Sequence, residues 1–326
     1  MAHQLTEREN GKVEMAFTGP RAAIWHSLGQ NLEEGASIEN WIQSAGMDWE
    51  VKEAAARYDA ATDASTSEMT FPDRKILYRS DTGVALSIVG QDFKTVQPQA
   101  VVEFFRDLTE QHGMKLSTAG TLFGGKRFWA LADTGKADEI VEGDVVQGHL
   151  LLVTAVDGTM ATTAKFVSTR VVCNNTLTIA MGGISSKPMV KITHKKDFDP
   201  SAVKIDLGIL SASWERCITN LRKLANKRMS AEEIRSFYEK KLFDPEHQFD
   251  DQSWGVVREV NRLTSLAEHG SGSDMSVGTA WGALCGATEL YTHGTGKRDA
   301  SHQFWHSYNG TLESKKLDMY RELLTA

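Results

Sequence analysis

The segment Gly124-Gly125-Lys126-Arg127-Phe128-Trp129 sets two cations beside two aromatic rings at a glycine turn. That combination suits a single-stranded nucleic acid, because Lys and Arg meet backbone phosphates while unstacked bases lie on ring faces, at ~1–3 kcal/mol per base. Strand alternation sends Lys126 and Phe128 to one side and Arg127 and Trp129 to the other, so one aromatic belongs to a core. A second basic block runs from Lys187 to Lys241, with thirteen Lys/Arg against seven Asp/Glu, a net of +6. The whole chain carries −7, so the remainder carries −13 and charge is segregated along the sequence. Here Lys191, Lys195 and Lys196, with His194 among them, sit at a strand end, and Arg216, Arg222, Lys223 and Lys227 flank a helix. Together with Lys126, Arg127, Phe128 and Arg170 they form the candidate nucleic-acid-binding set. A groove lined by them would focus anions even on an acidic body. The plainer alternative for each is a solvated hairpin tip or helix face.

Catalytic chemistry finds little support. Cys173 follows Arg170-Val171-Val172, where strand burial accounts for a small apolar thiol, and no partner that would lower its pKa can be named. Asn174, Asn175 and Thr176 read as a cap for a helix around Leu177 to Met181. His302 and His306 share i, i+4 spacing but lack the Glu of an HExxH pattern, so no metal is expected. Lys297, Arg298, His302, Phe304, Trp305, His306 and Tyr308 form a basic and aromatic cluster that reads as a binding loop or an oligomer contact. No Gly-rich loop leads into Lys-Ser/Thr, no GxGxxG opens a helix, and carboxylates such as Asp157 or Asp250-Asp251 lack general acid/base spacing. No cofactor and no catalytic residue is assigned.

The elements that must position these residues follow from periodicity. Three hairpins are legible between Lys75 and His194. Ile76–Arg79 and Val84–Val89 flank Ser80-Asp81-Thr82-Gly83, Thr121–Phe123 and Lys126–Leu131 flank Gly124-Gly125 as a two-residue turn, and Leu150–Val156 and Met160–Val167 flank Asp157-Gly158. One helix, Gln97 to Gly113, crosses this sheet with Val101, Phe104, Phe105 and Leu108 at helical spacing. After Pro200 the pattern turns helical. Trp214, Cys217, Ile218, Leu221, Leu224 and Ala225 share one stripe, Ser230-Ala231-Glu232-Glu233 reads as a capping box, and further helices run over Trp254–His269, through Trp281–Tyr291 and over Lys315–Leu324. Near the start, Ser37 or an earlier turn residue caps a short helix that ends near Gly46, and residues 51–74 read as an exposed strand or loop.

The fold class expected is α+β: a twisted antiparallel sheet of hairpins with one crossing helix, followed by a helical C-terminal region. Three parts result, 1–74 packing on the core, 75–199 as the sheet core and 200–326 as the helical region. With 326 residues, 41% hydrophobic and 24% charged, the chain can bury a substantial core. No apolar run reaches the ~20 residues of a membrane helix and none at the start resembles a signal peptide, so a cytoplasmic protein without membrane contact is expected. Three widely spaced cysteines indicate neither a disulfide framework nor a structural zinc site.

Trp25-His26-Ser27-Leu28-Gly29, Gly90–Gln97, Ala119-Gly120-Thr121-Leu122 with Gly124–Ala130, and Arg170-Val171-Val172-Cys173-Asn174-Asn175-Thr176-Leu177 resemble the phage/plasmid-like protein family, a domain of unknown function numbered 932. The resemblance implies an accessory protein of a mobile element and carries no residue roles. Joined to the hairpin sheet and the segregated charge, it leads to an accessory protein of DNA metabolism that binds single-stranded DNA, with strand annealing in recombination as its associated step, and forms a homo-oligomer. An enzyme on nucleic acid whose metal site assembles from unlinked carboxylates stays open as a third reading. The rival expectation is a protein-interaction module that modulates host or plasmid factors through the acidic stretch Asp133 to Asp144 and exposed aromatics.

Overall fold

The computed structural model describes residues 5–8, 11–19, 28–61, 65–170, 175–178, 189–207, 210–243, 253–294, 306–307 and 310–325. In chain order the N-terminal part supplies β1 (Met15–Thr18), β2 (Gln30–Leu32) and α1 (Ile38–Ser44). Ser37 caps α1 as its sequence suggests, its hydroxyl accepting from the Asn40 amide at 3.3 Å. Then come β3 (Val51–Ala61), β4 (Thr66–Arg79) and β5 (Ala85–Gly90), which form a sheet of their own in the order β3-β4-β5. The first expected hairpin is therefore β4–β5, but it belongs to this smaller sheet.

Next follow α2 (Pro98–Glu103), α3 (Arg106–His112), β6 (Lys115–Leu122), β7 (Arg127–Val141), β8 (Asp144–Ala155), β9 (Thr162–Arg170), β10 (Asn175–Thr178) and β11 (Met189–Ile192). The large sheet has the order β10-β9-β8-β7-β6-β1-β2, and β11 shares the outer edge of β9 with β10. Pairing is antiparallel except between β1 and β2. The fold class is the α+β arrangement of hairpins expected from the sequence.

Three local differences have physical causes. The β6–β7 connection spans residues 123–126 rather than two glycines, because Leu122 pairs with Arg127 and Phe123 leaves the ladder at a φ of 56°. Gly125 lies in this loop at a φ of 88°, where an added Cβ would stand 2.8 Å from the Trp49 ring. The crossing helix breaks into α2 and α3 at Phe104-Phe105, two consecutive rings that are both fully buried and set edge-on at 5.0 Å. One straight helix would point neighbouring side chains about 100° apart. Finally, Asn175–Thr178 pairs with β9 as a strand, so no helix starts at Leu177. The remainder of that expected helix, with Cys173 and Asn174, lies outside the described residues.

The helical part contains α4 (Pro200–Leu207), α5 (Leu210–Asn226), α6 (Ala231–Leu242), α7 (Trp254–His269), α8 (Ala280–His293) and α9 (Thr311–Thr325). The expected stripe on α5, Trp214 to Ala225, is buried. The capping box on α6 forms, with Glu233 N donating to Ser230 Oγ at 3.2 Å and Ser230 N to Glu233 Oε2 at 2.7 Å. The helix α8 is buried over most of its circumference, and Gly286 lets it press on α7, since a Cβ there would meet Ala267 N at 2.7 Å.

Alternation divides the large sheet into two apolar faces. Phe128, Ala130, Leu150, Leu152, Ala164 and Phe166 join the core beneath the helices. Trp129, Leu131, Leu151, Val153 and Val167 join Leu5, Met15 and Phe17 in a second cluster. Both faces are buried, so both aromatics of the central hairpin are core residues. Among the described residues no helix is long and apolar enough to cross a membrane.

Candidate nucleic-acid interface

Strand β7 decides where the candidate cations go. Arg127 opens it opposite Ala155, and Asp138 lies near its far end opposite Val146. Those partners are nine residue steps apart along β8, so at ~3.3 Å per residue the two ends of the sheet are about 30 Å apart.

At the near end, the Lys126 carbonyl accepts from Val156 N at 2.9 Å, and Thr163, one strand further, pairs with Lys191 of β11. His194 follows β11 and lies flat on Phe93, with centroids 4.2 Å apart and planes 15° from parallel. Its Nδ1 is 2.9 Å from the Lys94 carbonyl and its Nε2 3.1 Å from the Met160 carbonyl. Those two carbonyls tie the turn carrying Lys195 and Lys196 to the β8–β9 connection. Lys126, Arg127, Lys191, Lys195 and Lys196 thus share one end of the sheet, with Lys94 beside them. Arg127 is 3.4 Å from Asp157 and lies over the Phe123 ring at 4.6 Å, and Lys94 is 3.7 Å from Asp197. Among the described residues no carboxylate lies within ion-pair distance of Lys126, Lys191, Lys195 or Lys196.

The α5 cations sit at the other end. Trp214 Nε1 donates to Asp138 Oδ2 at 2.7 Å, and Arg222 donates to Asp138 at 3.3 Å and to the Glu139 carbonyl at 2.7 and 3.0 Å. Arg222 is thereby a clamp holding α5 on β7. Lys227 donates to the Leu323 carbonyl at 3.2 Å, in the last turn of α9, where a helix attracts positive charge. Arg216 and Lys223 are exposed. Arg170 also belongs to this end, its backbone paired with Val146 and Asn175. The eleven candidates do not form a single trough.

Phe128 offers no ring to a ligand. It has no exposed surface and packs edge-on against Trp49 at 5.6 Å, because its face of β7 is roofed by helices. Half-buried rings at the lysine end include Phe93 and Phe123, neither of which the sequence pattern singles out as a ligand contact, Phe123 reading there as the end of a hairpin strand.

A buried polar group also escaped sequence reading. Lys165 on β9 is fully buried, with Nζ 4.0 Å from Glu313 Oε1, while Lys316 Nζ lies 2.7 Å from Glu313 Oε2 and donates to the Ser307 carbonyl at 2.8 Å. Loss of hydration pushes the Lys165 ammonium down to about 8 and lowers Lys316 as well. The only signal in the sequence is a lysine in the middle of a strand whose one other charged residue is the terminal Arg170.

Cys217 and Cys285 are buried thiols, and burial pushes Cys217 up to about 12, the opposite of what a nucleophile needs. Among the described residues no three His, Cys, Asp or Glu side chains gather as metal ligands do. His302 and most of the basic and aromatic cluster around it lie outside the described residues, as do Asp250 and Asp251.

A family model described as "Domain of unknown function (DUF932)" matches residues 85–309. That span contains α2 through α8, including both ends of β7. Neither a curated protein nor a solved structure matches the chain.

Proposed function

We propose that this chain, which belongs to the DUF932 family, binds single-stranded DNA along the lysine-rich end of its large sheet, as an accessory to strand annealing or a related step of DNA metabolism. The observation that carries the reading is the meeting of Lys126, Lys191, Lys195 and Lys196 at one sheet end without carboxylate partners among the described residues. Unpaired lysines on a protein of net charge −7 make a local positive field that a phosphate backbone would neutralise. Phe93 and Phe123 stand beside them, and rings next to cations are the usual platform for unstacked bases.

Filter binding of labelled single-stranded DNA at rising salt tests the proposal. Four phosphate contacts give a slope of about −3 in log affinity against log salt for a single strand. Unmeasurable binding at low salt, or binding insensitive to salt, ends it.

The rival surface, Asp133 to Asp144, is less favoured because two of its acids, Asp138 and Asp144, are spent inside the protein, although Glu139 and Glu142 are exposed. Asp138 receives Trp214 and Arg222, and Asp144 is fully buried and accepts from Trp281 Nε1 at 2.8 Å. Those acids seat helices on the sheet.

A further inference from the structure

Beyond the Ala55–Lys75 pair, β3 and β4 continue as a two-stranded ribbon that is exposed over almost all of its described residues, Ala56 being the buried exception. Residues 65–74 are all exposed, as are Arg57, Tyr58 and Asp59 opposite them. A bare two-stranded ribbon in water is marginal in stability, since it buries little on either face. This one also shows Tyr58 51%, Met69 45% and Phe71 49% exposed, with Tyr58 directly opposite Met69. Such a ribbon is built to be covered.

The two outer edges of the ribbon differ. On β4 the step from Thr70 to Lys75 spans five residues against two on β3, so Phe71-Pro72-Asp73-Arg74 leaves the β3 ladder, with Arg74 still paired to Gly90 of β5. Pro72 has no N–H to donate, and bulges with proline are how a sheet edge is blunted against further pairing. The β3 edge has neither device. It runs Val51-Lys52-Glu53-Ala54-Ala55-Ala56-Arg57-Tyr58-Asp59-Ala60-Ala61, a proline-free edge at the end of the order β3-β4-β5.

That edge matches itself. We infer that β3 pairs antiparallel with β3 of a second copy of this chain about a two-fold axis at Ala55, joining the two small sheets into one. In this register Glu53 of each copy faces Arg57 of the other, which gives two opposite-charge cross-strand pairs. Tyr58 falls diagonal to Ala54 of the second copy, a distance an aromatic ring spans and a side chain small enough to lie beneath it. Within one chain Arg57 already meets Glu68 at 2.7 Å and Glu53 meets Lys75 at 2.8 Å, but Arg57, Glu68 and Glu53 remain about half exposed and free to be shared. Past Val51, whose amide and carbonyl on this edge are held by the Gln97 side chain at 2.8 and 3.1 Å, the backbone groups of β3 would gain partners along the seam. The seam does not use the lysine-rich end of the large sheet.

Sedimentation equilibrium of the full chain tests this directly, with melting curves confirming that each variant folds. The wild type is expected to dimerise at micromolar concentration. Arg57→Glu and Glu53→Arg alone each set like charges face to face and weaken association at least tenfold, whereas the double variant E53R/R57E restores it. In Ala55→Cys the two thiols would meet at the axis, where facing strand residues stand ~4.5–5.5 Å apart, within disulfide reach, and mild oxidation yields a covalent dimer. A monomer at high concentration overturns the proposal, and so does a double variant as weak as the singles. Capture of an unrelated protein by a monomeric arm would also overturn it. Loss of DNA binding in a normal dimer would instead count against the lysine-rich surface alone.

Discussion

Arg79 holds both carboxylate oxygens of Glu14, with Nη2 at 2.6 Å from Oε1 and Nη1 at 3.1 Å from Oε2, across 65 residues of chain. Arg79 ends β4 in the small sheet and Glu14 directly precedes β1 in the large one, so this fork joins the two sheets. Both side chains are almost wholly buried, Trp49 lies 4.0 Å from the guanidinium, and Thr121 and Arg8 also reach Glu14. Planar two-point geometry is what arginine supplies and lysine does not.

Removing Arg79 leaves the buried Glu14 carboxylate with Arg8 at 3.2 Å in place of a two-point partner, and removing Glu14 leaves Arg79 with Asp81 at the rim. Arg79→Ala is expected to lower unfolding free energy by about 3–5 kcal/mol in urea titrations. Glu14→Gln combined with Arg79→Met should cost less than the sum of the two single changes, because the buried carboxylate and the guanidinium that neutralises it go together. An additive result would show that the two groups do not act as a pair.

The Lys165 ammonium titrates at about 8 in the folded protein, against about 10.5 in an unfolded chain. Between those values the unfolded chain holds a proton that the folded one has shed, so stability rises as pH increases from about 8 towards 10.5. Below 8 the full penalty of a buried charge is present. Lys165→Met removes that dependence and should flatten urea midpoints measured from pH 7.5 to 10. Glu313→Gln has the opposite effect on the cluster, since it leaves Lys165 and Lys316 without the carboxylate between them.

His149, buried on β8, is held below its ordinary value by lost hydration, which outweighs the attraction of Asp133 across the strand pair. A depressed histidine is neutral when folded and charges first when unfolded. Stability should therefore fall as pH drops below about 6.5, the unfolded value. His149→Leu is expected to reduce the slope of melting temperature against pH between 6.5 and 5. An unchanged slope would place the acid sensitivity in other groups.

The two ends of β7 make a paired test of DNA binding. Each of Lys191→Ala, Lys195→Ala and Lys196→Ala should reduce the salt slope by about 0.7 and weaken binding at low salt. Arg216→Glu with Lys223→Glu, some 30 Å away by strand length, should leave both quantities unchanged. Equal losses at both ends would mean a diffuse charge effect rather than a site.

The chain's own pattern determined what is local. Period-two runs in β7, β8 and β9, the 3.6-residue stripe on α5, and Ser230 with Glu233 three residues on each carry their own short-range physics and form, although β7 runs on to Val141 and β8 starts at Asp144, beyond the runs that mark them. Partners distant in sequence belong to tertiary structure. A lysine count from 187 to 241 could not foresee that α5 docks at Asp138 while β11 closes the opposite end, since the register of β8 against β7 and β9 sets that separation. Nor could local pattern tell Lys165, buried beside Glu313, from Lys191 two places along the same face and exposed. Which cations meet water and which meet carboxylates depends on loop closure over a hundred residues or more, a free energy to which no single segment contributes alone.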